Sequence, residues 1–158
     1  MDYFLLKQTG TVSIPKQKEH NQKEPSARIM ENVSYLDKFD YIASEALFSD
    51  RVKLLLEKYL IEQDWQPCVF VEPSKQKQKT FWFLPPLASS LDNIVFASNG
   101  IPCSIAINEK EGYRKSSGIF YIPNPKGTPF VIVHMSIAES ISRWGFCGLG
   151  FKRLSSVK

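Results

Sequence analysis

A chain of 158 residues with 43% apolar and 23% charged residues can build one self-sufficient core, so neither a disulfide framework nor a structural metal is needed to hold it. Its net charge of +4 is unevenly spread: residues 31–64 carry eight acidic against four basic side chains, a net of −4, which leaves +8 on the rest. That polarity argues against a uniformly basic nucleic-acid binder, and no apolar run approaches the roughly 20 residues of a membrane span. The three cysteines, Cys68, Cys103 and Cys147, are odd in number and far apart, which fits a reduced, cytoplasmic protein better than a secreted one. The segment MDYFLLKQTG lacks the basic and long apolar regions of a signal peptide.

In chain order, Tyr3, Phe4, Leu5 and Leu6 predict a strand inserted into a sheet. Residues 15–28 are polar and proline-flanked and predict a long exposed loop. Residues 49–60 predict a helix: Ser49 is placed to cap it, and Val52, Leu55, Leu56 and Tyr59 recur at helical spacing. Residues 68–71 and 80–84 predict two strands of a hairpin, with a lysine-rich loop over 73–79 and Pro85-Pro86 as a stop. Strands follow at 101–107, 118–122 and 130–133. Residues 136–144 predict a second helix, with a Ser136–Glu139 capping box, Ile137, Ile141 and Trp144 buried, and Gly145 as a left-handed C-terminal cap closed by Phe146. Residues 149–151 predict a last edge strand before a basic tail. The expected fold is α+β: a single domain over residues 1–158, mostly antiparallel sheet with two main helices packed on it.

Chemistry is sparse. Cys68, Cys103, Cys147, His20 and His134 form no pair at zinc-ligand spacing, so no metal is expected. Cys103 with His134 is the one thiol–base pair that resembles a hydrolase, but no nucleophile elbow accompanies it. The glycines between Gly145 and Phe151 follow a helix instead of preceding one, which is the wrong context for a phosphate cradle and the right one for close backbone packing. Lys75, Lys77 and Lys79 lack stacking aromatics beside them, which leaves nucleic-acid binding as an alternative only.

Four segments together resemble a family of bacterial immunity proteins, the group first known as a domain of unknown function in a myxobacterial protein. They are Tyr3-Phe4-Leu5-Leu6, the Ser-led helix over residues 49–60, the aromatic strand pair Val69-Phe70-Val71 and Phe81-Trp82-Phe83, and the C-terminal run of Val131-Ile132-Val133, helix and Gly148-Leu149-Gly150-Phe151. The resemblance implies a partner, a cognate toxin domain neutralised in the producing cell by non-catalytic binding. It supplies no catalytic residue, and the sequence gives no reason to expect a membrane partner or a cofactor. Toxins that act on nucleic acids tend to carry basic clefts, and clustered carboxylates suit such a target. The acidic residues Asp37, Asp40, Glu45 and Asp50 are therefore the expected toxin-facing set. The charged loop holding Glu109, Glu111, Tyr113 and Arg114 is second, because it joins charge to an aromatic anchor.

Overall fold

The computed structural model describes residues 2–16, 27–60, 63–84, 94–106, 118–124 and 127–157. Its architecture is α+β, with a six-stranded and a five-stranded sheet, both mostly antiparallel. The six-stranded sheet is ordered β7 (Ile94–Phe96), β8 (Pro102–Ala106), β11 (Leu149–Val157), β1 (Tyr3–Gln8), β10 (Phe130–His134) and β9 (Ile119–Ile122). The five-stranded sheet runs β2 (Arg28–Ile29), β5 (Gln66–Glu72), β6 (Lys77–Phe83), β4 (Leu47–Ser49) and β3 (Tyr41–Ile42). Among the described residues, the β8–β11 and β2–β5 pairs are parallel and the other strand pairs antiparallel.

The continuous apolar runs mark strands covered on both faces. In β1, Leu6 faces a core shared with β10, β3, β4 and the two helices, while Tyr3 and Leu5 face a separate cluster with Ile94, Ile105 and Leu154. In β10, Val131 and Val133 join the first core and Ile132 the second. Helix α1 (Asp50–Leu56) buries Val52, Leu55 and Leu56, and α2 (Met135–Arg143) buries Ile137, Ala138 and Ile141 in the same shared core. The opposite face of the five-stranded sheet is closed by a 3-10 turn, Val33–Lys38, whose Val33 and Leu36 pack on Leu47, Phe70 and Phe81. Burying each such large apolar side chain contributes about 1.5–3 kcal/mol.

Several expectations change. Helix α1 ends at Leu56 and continues only as turns to Leu60, so Tyr59 is half-buried; its hydroxyl meets Ser140 Oγ at 2.8 Å. The cap of α2 is His134, not Ser136: His134 Nδ1 accepts the Ser136 amide at 3.2 Å. Trp144, expected in the core, is 47% exposed, because the helix ends at Arg143 and the periodic stripe runs past its last turn. Gly145 does take the left-handed conformation, at φ 64°. The last strand is a nine-residue interior strand between β8 and β1, not an edge. The hairpin turn is tighter than expected, a 3-10 turn at Pro73–Lys75 closed by left-handed Gln76.

Arg28, expected in an exposed loop, is buried in β2. Its guanidinium makes a two-pronged bond to Glu45 at 2.5 and 2.9 Å, donates to the Pro15 carbonyl, and lies 5.8 Å from the Phe70 ring centre. The Glu45 hydrogen bond leads in holding the Arg28 pKa above its ordinary value. Nearby, burial pushes the Cys68 thiol up to about 11. Glu72, also buried, ties the 3-10 turn to β5 by accepting the Val33 amide at 3.1 Å. Burial works to raise its pKa, but that bond and Lys75 outweigh the effect and hold the carboxyl below the usual range.

Candidate protein-binding surface

The four acidic residues expected to form one negative face are dispersed. Residues 37–50 pass through a 3-10 turn, two strands and the start of a helix, so neighbours in sequence point different ways. Asp40 is buried: its carboxylate accepts Ser49 Oγ at 2.6 Å and the Cys147 amide at 2.7 Å, joining the cap of α1 to the entry of β11. Glu45 is held by Arg28. Asp37 is exposed and pairs with Lys79 at 3.0 Å; Asp50 is exposed and accepts Trp82 Nε1 at 2.5 Å. Lys79 and Trp82 are three residues apart on β6, so Asp37 and Asp50 sit on opposite faces of that sheet. The second expected set, Glu109, Glu111, Tyr113 and Arg114, lies outside the described residues.

The lysine-rich hairpin is no open basic tip either. Lys75 meets Glu72 at 3.2 Å, Lys79 meets Asp37, and Lys77 reaches Ser34 Oγ at 3.5 Å. Nor do Cys103 and His134 meet. They stand on β8 and β10, three strand spacings apart, or about 14 Å. Cys103 Sγ donates to the Val95 carbonyl at 3.3 Å, and His134 is engaged by Ser136. Among the described residues no group of three His, Cys, Asp or Glu side chains is placed to hold a metal ion.

The surface that gathers binding chemistry is built around Trp144, which the helical spacing had put in the core. It surrounds the C-terminal end of α2. Trp144 and Phe146 flank the Gly145 turn and stack on each other, with ring centres 6.1 Å apart and planes 18° from parallel. Arg51, from the first turn of α1, lies 5.1 Å from the Phe146 ring centre and donates to the Trp144 carbonyl at 3.4 Å. Lys58, just past the end of α1, lies 5.5 Å from the Trp144 ring centre. The two helices thus set two cations against two aromatic rings at the surface. Each such contact contributes roughly 0.5–1 kcal/mol at an exposed site.

Beside this step, a groove of about 410 Å³ runs between α2 and the strands β1 and β11. Phe4, Ala138 and Phe151 give it apolar walls, and Met135, Glu139, Ser142 and Arg143 supply its rim. A smaller hollow of about 250 Å³ adjoins it at Ser142 and Phe151 and reaches Phe146. Phe4 and Phe151 meet edge to face at 6.2 Å, which fixes the floor. Tryptophan and arginine beside a preformed apolar depression are the residue types that carry most of the energy at protein interfaces. The signal for it in the sequence was the pair of large aromatics either side of Gly145, next to Arg143. Set against protein-family models, curated proteins and solved structures, the chain has no match in any of the three comparisons.

Proposed function

We propose that this chain is a non-catalytic protein-binding domain, an immunity protein that neutralises a cognate toxin domain in the cytoplasm of the producing cell. The observation that carries a binding role is the exposed Trp144 stacked on half-buried Phe146, with its attendant Arg51 and Lys58, beside the groove along α2. A side chain as large as Trp144 left 47% exposed keeps enough apolar surface in water to make an efficient anchor for a partner. The toxin as partner rests on the four-part resemblance in sequence. The separation of Cys103 from His134 supports binding over thiol catalysis. The pairing of Lys75 and Lys79 with carboxylates supports a protein partner over the nucleic-acid alternative.

Co-expression with a toxin domain taken from the open reading frames next to its gene tests the reading. Growth should be restored by the native chain and equally by folded Cys103→Ala and His134→Ala variants. Loss of protection in either folded variant would move the protein towards an enzymatic role, and no protection by the native chain would remove the immunity reading.

A further inference from the structure

The geometry points to an acidic, amphipathic segment of a protein partner as the occupant of the groove beside α2. This deepens the binding role proposed above and rests on it. The groove and the smaller hollow share Ser142 and Phe151, so they form one elongated depression with the Trp144–Phe146 step at its end. Its floor asks for aliphatic or aromatic side chains. Its charge asks for carboxylates. Arg143 is on the rim, Arg51 and Lys58 stand at the aromatic end, and Arg153 shares a face with Phe4, its cross-strand partner.

Against these four cations stand Glu139 on the rim and Asp2, which already pairs with Arg153 at 2.8 Å. Among the described residues, no carboxylate pairs with Arg143 or Lys58. The carboxylate nearest Arg51 is Asp40, at 3.9 Å, and it is already engaged by Ser49 and the Cys147 amide. The face therefore carries unmatched positive charge around an apolar slot, the complement of a segment with flanking Asp or Glu and a central apolar anchor.

A nucleic acid fits less well. Trp144 and Phe146 are already engaged with each other and with cations, which leaves less ring face for a base to stack on. The slot is walled by Phe4, Ala138 and Phe151, and Glu139 on its rim repels phosphate.

The test pans a displayed library of short random peptides on the native protein, with subtraction on a folded Trp144→Ala/Arg143→Glu variant. Trp144 and Arg143 are exposed, so the variant should keep the native fold by circular dichroism. Peptides retained by the native chain alone should carry net negative charge around an aromatic or aliphatic residue. Their affinity should fall at least about tenfold in Arg143→Glu alone and weaken with added salt. Equal retention by both proteins, or enrichment of basic or neutral peptides, would overturn the proposal. So would oligo-dT competing with the peptides for this face, which would give it to nucleic acid, or a native dimer dissolved by Arg143→Glu, which would give it to a second copy. Because panning uses no toxin, a chain that captures acidic peptides yet fails to protect cells keeps this inference and loses only the immunity role.

Discussion

Arg28 and Glu45 show how one side chain reads differently in a sequence and in a fold. In the sequence, Arg28 closes a polar stretch and Glu45 belongs to an acidic one. In the fold, Arg28 has a side chain only 4% exposed, while Glu45 is 31% exposed and supplies both oxygens to it. A guanidinium can be buried only where its charge and donors are met. Replacing Glu45 by alanine leaves that charge facing Phe70 and Phe83 with the Pro15 carbonyl as its remaining acceptor. The expected loss is roughly 2–4 kcal/mol, below the top of the range for buried pairs because Glu45 is partly hydrated. Arg28→Met should lose less, since it removes the charge along with its partner's role. Urea unfolding of the two variants checks the order; a smaller loss for Glu45→Ala than for Arg28→Met would mean that hydration, not Glu45, satisfies the arginine.

Helix α2 separates the residues that hold it from the residues it displays. Ile141 is 1% exposed and Trp144, one turn on, is 47% exposed. Ile141→Ala should therefore cost about 2–5 kcal/mol. Trp144→Ala should cost less, about 1–2 kcal/mol, the combined value of its contacts with Phe146 and Lys58. Paired thermal or urea midpoints decide it, and a reversed order would put Trp144 in the core after all. The buried faces of both helices were legible because helical spacing survives into the structure for Val52, Leu55, Leu56, Ile137 and Ile141. Trp144 was misread because the same spacing was carried one residue beyond Arg143, where the backbone turns at Gly145. The strands β3 and β4 escaped notice because they are short and lie within the acidic stretch, where the charges of Asp40, Glu45 and Asp50 dominate the pattern. The dispersal of those charges was not legible at all, since it depends on which sheet face each element presents.

At the scale of the molecule, the sequence held the fold class but not the pairing. The apolar runs of β1 and β10 announced strands buried on both sides. The run Lys152-Arg153-Leu154-Ser155-Ser156 is mostly polar, and it is a strand because β1 and β8 take up its backbone hydrogen bonds on either side. Ending the chain after Phe151 should therefore split the six-stranded sheet, because among the described residues β11 is the strand that joins the β7–β8 pair to β1. The expected outcome is loss of the cooperative urea transition, read by tryptophan fluorescence; a truncated chain that unfolds with the native midpoint would show that β11 is dispensable.

The antiparallel pairing of Tyr3–Gln8 with Leu149–Val157 also sets a timetable for synthesis. The two partners are separated by about 140 residues, and at roughly 5–20 residues per second the ribosome takes on the order of 7–30 s to supply the second. Until β10 is made, about 120 residues on, Tyr3, Phe4, Leu5 and Leu6 have no strand to join, and once clear of the ribosome they are an apolar run available to chaperones and to other nascent chains; β11 follows β10. The groove floor is assembled from Phe4 and Phe151, so it comes into being only once β11 has been made. The face proposed to bind a partner is therefore complete only after β1 to β10 and both helices have been made, and a cell that needs it at once must keep a finished stock in reserve.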